Sequence, residues 1–121
     1  MVSFQTVLSQ LLTNVHGSMA AMFFDHQGEA VEIAEQPLTP YDMKIVGAYE
    51  GIYLDQLRRI CTAMAWGTLE RFKLDWKGTV LFHWVLAEGY YLVLMTEGET
   101  NEALAWHQLG KCREVLLREI C

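Results

Sequence analysis

No apolar run in the sequence approaches the roughly 18 residues of a membrane span, so no membrane insertion is expected. Proline occurs only 2 times in 121 residues and cysteine 3 times, as Cys61, Cys112 and Cys121. An odd cysteine count without a C-x-x-C speaks against a disulfide framework or a structural zinc site, and a reducing compartment fits best. Basic residues are sparse too: 9 Lys and Arg stand against 15 Asp and Glu, a net charge of −6. That disfavours nucleic acid, because a binder needs clustered cations to displace counterions. It equally disfavours an acidic partner, except through a local basic patch. Neither G-x-x-x-x-G-K-[ST] nor G-x-G-x-x-G occurs, so this chain is not expected to hold a nucleotide or other cofactor. The opening "MVSFQTVLSQLLTN" lacks a basic n-region and spaces its apolar residues, which reads as a helix and not a signal peptide. A soluble, cytoplasmic protein is expected.

What is present is greasy and ordered. The chain is 52% hydrophobic and 20% charged, enough apolar content for one core, and residues 1–121 read as a single domain. Phe4, Leu8, Leu11 and Val15 recur at helical spacing up to Gly17. Residues 18–25 are apolar on both faces, as in a central strand. "DHQG" supplies turn formers, and residues 29–34 form a second, more exposed strand, so a β-hairpin is predicted and not a phosphate loop. "EQPLTPYD" breaks the strand. Thr39 as N-cap, Pro40 at the first helical position and Asp42 near the positive helix end predict a long helix from about Pro40 to Ala65, stopped by Gly67.

Three strands follow. "TLERFKLDW" alternates, Lys77-Gly78 is a two-residue turn candidate, "TVLFHWV" is apolar on both faces, and "YYLVLMT" follows "AEG". A two-residue loop at Lys77-Gly78 sets Arg71 opposite Trp84 and Lys73 opposite Phe82, with their aliphatic stems over aromatic rings. Thr100 or Asn101 caps a last helix, which buries Ala105, Leu109, Cys112, Leu116 and Ile120 and turns Lys111, Glu114 and Arg118 to water. The order α-β-β-α-β-β-β-α, with two strands apolar on both sides, predicts an α+β fold. Its layers are α/β/α, with helices covering both faces of one mostly antiparallel sheet.

The segments "GSMAAMFFDHQGEAVEIAE" and "GTVLFHWVLAEGYYLVLMT", with the long Ala/Gly/aromatic helix between them, are in this order similar to the roadblock/dynein light-chain domain family. The resemblance covers essentially the whole chain. It implies a five-stranded antiparallel sheet with one helix on one face and two on the other. It implies homodimers or heterodimers paired through the second helix and the adjoining middle strand, and no enzymatic chemistry. Bacterial members often regulate a small Ras-like GTPase, while eukaryotic relatives serve as motor light chains or GTPase scaffolds.

The second helix carries its own evidence for a partner. On a helical wheel Val46, Tyr49, Tyr53, Leu57, Ile60 and Met64 centre one side, and Met43, Leu54, Cys61 and Ala65 widen it beyond the roughly 100° that covers a sheet. Gly47 and Gly51 lie on its flank, each at a cost of about 0.5–1 kcal/mol inside a helix. Close approach by another backbone offsets that cost, whether it comes from a second copy or from the chain's own sheet. The expected seam of a symmetric dimer, or of a pair with a related chain, is therefore Gly47, Gly51 and Leu54 with the middle strand at Phe72 and Lys73. Charges at Glu70, Arg71 and Lys73 suit an edge strand, guarding it or limiting it to one partner. Lys44, Asp55, Arg58 and Arg59 are the candidate contacts for a GTPase.

Chemistry of other kinds has little support. His16, His26, His83 and His107 form no metal-spaced set, His107 and Cys112 lying on different helix faces. His83 reads as a strand histidine with a local hydrogen bond, and Cys61 as an apolar filler. Neither a catalytic nor a metal residue is assigned. The reading is a regulatory or scaffold module. The alternatives are a light-chain-like adaptor without effect on GTP turnover and a small-molecule sensor lined by Trp84, Tyr90, Tyr91 and Trp106, side chains that also suit the core.

Overall fold

The computed structural model describes residues 3–37 and 39–120. Helix α1 (Phe4–Asn14) leads into strands β1 (Ser18–Phe24) and β2 (Ala30–Glu35), then helix α2 (Met43–Ala63). Strands β3 (Arg71–Trp76), β4 (Thr79–Val85) and β5 (Tyr91–Glu97) precede helix α3 (Glu102–Ile120). All neighbouring strands are antiparallel, in the order β2-β1-β5-β4-β3.

Local chemistry explains the joints. Asp25 accepts from the Gln27 and Glu29 amides at 2.9 and 3.0 Å, and Gly28 takes φ +82, which closes the β1–β2 hairpin. Gly78 takes φ +86 in the β3–β4 turn, and the register follows: Arg71 faces Trp84 and Lys73 faces Phe82. Asn101, not Thr100, caps α3 by accepting from the Leu104 amide at 3.0 Å. The start of α2 differs from expectation. Asp42 is its N-cap, accepting from the Lys44 and Ile45 amides, and the helix begins at Met43 rather than Pro40. Thr39 instead donates its hydroxyl to the Gln36 carbonyl at 2.7 Å, so the better acceptor, a carboxylate three residues on, takes the helix end.

Two cores sandwich the sheet. Phe23, Phe82, Leu92 and Leu94 pack with Val7, Leu8 and Leu11 of α1 and Leu109 and Leu116 of α3. On the other face Met22, Phe24, Leu81, Val93 and Met95 pack with Met43 and Leu54 of α2. Tyr90 and Tyr91 part accordingly, Tyr90 stacking on Phe23 on the first face and Tyr91 lying fully within the second core. No described helix is long and apolar enough to cross a membrane.

Burial on the inner side of α3 pushes the Cys112 thiol up to about 12. Only the thiolate is nucleophilic. Iodoacetamide is therefore expected to modify half-buried Cys61 well before Cys112 in the native protein, as read by peptide mass mapping. The same shift fixes the sign of a pH effect. An unfolded thiol loses its proton near pH ~8.5, while folded Cys112 keeps it. Its contribution is whole below that pH and declines as pH rises toward about 12. Equal labelling rates at the two cysteines count against this placement.

Candidate functional site

Helix α2 is placed off-centre. It packs chiefly on β1 and β2, at one end of the sheet, and leaves Phe72 and Leu74 of β3, at the opposite edge, only partly buried. Its apolar arc is wider than the sheet can bury. Met43, Gly47, Gly51 and Leu54 point inward. Ile45, Tyr49, Ile52, Tyr53, Ile60 and Met64 stay about half exposed, as does Trp76 on β3. Tyr49 and Tyr53 meet Trp76 across a cavity of about 300 Å³, floored by Leu81 and Met95. A solvated monomer gains nothing from this arrangement, since fully burying each such side chain is worth about 1.5–3 kcal/mol.

The seam residues selected on the wheel need correction. A Cβ on Gly51 would lie 2.1 Å from the Gly28 carbonyl oxygen, so the backbone that Gly51 admits is the chain's own β1–β2 turn. Gly47 faces Phe24 and Ile33, with ordinary contact distances of 3.6–3.7 Å for an added methyl. Leu54 is fully buried in the α2-side core. These three belong to intramolecular packing and do not face a partner. The apolar arc is larger than one sheet needs, as the wheel predicts, but its surplus lies on the other flank. Phe72 stacks on His83 at 4.1 Å, facing the α2 side, and exposed Lys73 pairs with Glu102 of α3. Both stand on the sheet edge, as expected of the middle strand. The Glu102 carboxylate holds the Lys73 ammonium above its ordinary range.

Among the contact candidates, Lys44 is exposed, and Asp55 and Arg59 form an exposed ion pair one helical turn apart at 3.0 Å. Arg58 is corrected. It donates from Nε to the Tyr91 hydroxyl at 2.7 Å, packs over that ring and reaches the Gly89 carbonyl, so it ties α2 to the β4–β5 connection.

One buried pair was missed. The His83 imidazole Nε2 and a Glu50 carboxylate oxygen share a 2.6 Å hydrogen bond, both side chains almost wholly enclosed. The hydrogen bond is long-range, not local. Its signal was present: Glu50 interrupts the apolar arc of α2 between Val46, Leu54 and Leu57, and His83 sits in a strand that is apolar on both faces. Among the described residues, no group of three or more His, Cys, Asp and Glu side chains is placed to hold a metal.

No protein-family model matches the sequence. No curated protein matches it either. Solved structures do. The chain is similar to a roadblock/LC7 domain from Streptomyces avermitilis, with TM-score 0.83, 13% identity and 96% of each chain covered. It is also similar to Myxococcus xanthus MglB, with TM-score 0.84 and 12% identity over 95% of this chain and 92% of that one. A third likeness is to MglB with a tetrameric arrangement, at TM-score 0.82 and 14% identity over 95% and 85% of the two chains. The fold is the roadblock/LC7 fold, a five-stranded antiparallel sheet between α2 and the α1/α3 pair.

Proposed function

We propose that this chain is a non-catalytic regulatory or scaffold module. It pairs with a second copy, or with a related chain, through the apolar flank of α2 and the free edge of β3. The pair then presents a platform for a small Ras-like GTPase and biases its nucleotide state. One observation carries the pairing: Ile45, Tyr49, Ile52, Tyr53 and Trp76 form a continuous half-exposed apolar surface beside an unpaired strand edge. Two such surfaces are self-complementary under a two-fold axis, helix against helix and edge against edge. The tetrameric arrangement of one structural neighbour supports association in this fold. The GTPase reading rests on the sequence resemblance. Lys44, Asp55 and Arg59, on the polar side of α2 next to the seam, remain its contact candidates.

Sedimentation and retention assays test this together. The wild type is expected to sediment as a dimer at micromolar concentration. Tyr53→Asp, which places a charge in the seam, is expected to weaken association by about 100-fold or more, near 2.7 kcal/mol. Immobilised wild type is expected to retain a Ras-like GTPase from the same genome more strongly in one nucleotide state, because a partner shifts an equilibrium only through differential contacts. A monomeric wild type removes the pairing. Equal, negligible retention in both nucleotide states removes the GTPase role, and retention without altered GTP turnover leaves a structural adaptor.

A further inference from the structure

The sheet face opposite α2 carries a second surface, built differently. Arg71 at the start of β3, Trp84 on β4, and Trp106, Lys111 and Arg113 on α3 line a cavity of about 380 Å³. The Arg71 guanidinium lies 4.8 Å from the Trp84 ring centre and 5.0 Å from that of Trp106. The two indoles meet edge to face at 5.8 Å and 81°. Arg113 stands 5.5 Å from the Trp84 ring and donates from Nε to the Val85 carbonyl at 3.2 Å. Gly110 makes room for this in the middle of α3. A Cβ there would come within 3.2–3.3 Å of Trp84 ring carbons, so the glycine lets the indole slide beneath the helix.

The charge is the unusual part. In a chain of net charge −6, three cations face Glu114 alone at this groove. Among the described residues no carboxylate pairs with Arg71, Lys111 or Arg113. A guanidinium laid on an indole face spends its flat side and keeps its N–H edge for an acceptor, the arrangement that suits a carboxylate. We propose that this groove docks an acidic peptide segment of a partner protein, its carboxylates meeting Arg71, Lys111 and Arg113 while its aliphatic stems lie on Trp84 and Trp106. A long polyanion is a poorer occupant. Nucleic acid or an anionic membrane extends past the groove onto a surface with excess Asp and Glu, whereas a short peptide needs only the local field. The groove lies on the α3 face of the sheet; pairing at the free edge of β3 would use backbone groups and leave the Arg71 side chain on that face, opposite α2.

The test is fluorescence anisotropy with a labelled octapeptide of alternating Asp and Glu, at low salt where exposed charges are least screened. The peptide is expected to bind saturably and to shift the indole N–H resonances of Trp84 and Trp106 while those of Trp66 and Trp76 stay in place. Arg71→Glu is expected to weaken it by about 10-fold or more, and Arg71→Lys, which keeps charge but loses the planar stack, by a few-fold. Lys111→Glu, at an exposed helix position, repeats the charge reversal without touching the stack and guards against a folding defect in the first variant. The proposal is overturned by absent or unsaturable binding, or by binding that both reversals leave unchanged. Tighter binding of an eight-base oligothymidylate or of phosphatidylserine vesicles than of the peptide overturns it as well.

Discussion

Gly51→Ala is expected to lower folding stability by about 2 kcal/mol or more, although alanine is the better helix former by up to ~1 kcal/mol. The sign follows from what the new methyl meets. Its carbon would sit 2.1 Å from the Gly28 carbonyl oxygen and 3.0 Å from the carbonyl carbon. Both atoms are backbone, in a turn closed by the Asp25 side chain and by the Gly28 amide bonded to the Asp25 carbonyl, so neither yields by a rotamer change. Either α2 lifts from β1 and β2 or the hairpin opens, and each strips contacts from Phe24 and Leu54. Gly47→Ala is the internal control. Its methyl finds Phe24 and Ile33 at 3.6–3.7 Å, normal contact, so the helix-propensity gain survives and stability is expected to hold or rise by up to ~1 kcal/mol. Urea titration at one fixed protein concentration reads both, fixed because a dimer's stability depends on concentration. A neutral Gly51→Ala, or a change of oligomeric state in Gly47→Ala, contradicts the intramolecular role given to these glycines.

The pair of glycines also marks how far the sequence could be read. Their helical flank, and the fact that something approaches it closely, follow from spacing alone. The approaching backbone does not, because a wheel gives directions around an axis and not what stands there. Turn chemistry was more legible. Lys77-Gly78 fixes a two-residue loop, the loop fixes register, and register sets Arg71 over Trp84, where the guanidinium stacks at 4.8 Å. The surplus apolar arc of α2 was legible as an amount, and its location was not. Where the helix sits depends on the offset between α2 and the sheet, a tertiary quantity set by Gly51 against Gly28 and by Arg58 against Tyr91. Residues more than twenty positions apart make such contacts, and nothing periodic in the chain announces them.

Glu50→Ala is expected to cost about 1–3 kcal/mol, the scale for leaving a buried hydrogen-bonding group without its partner. His83 is fully buried, its Nε2 bonded to Glu50 at 2.6 Å and its Nδ1 without a partner among the described residues. Removing the carboxylate therefore leaves the whole imidazole polar edge unsatisfied against Phe72, which stacks on it at 4.1 Å. Replacing both members together, as Glu50→Leu with His83→Phe, is expected to recover most of the loss, since an apolar pair of similar volume needs no desolvation. The pair's use is then positional. A polar contact satisfied in one placement only fixes the rotation of α2 about its axis, and that rotation decides which residues form the exposed flank. The double variant is accordingly expected to fold with near wild-type stability in urea but to associate less tightly in sedimentation, because Tyr49 and Tyr53 lose their fixed station beside Trp76. Undiminished association in a well-folded double variant shows that packing alone orients the helix, and the positional role falls.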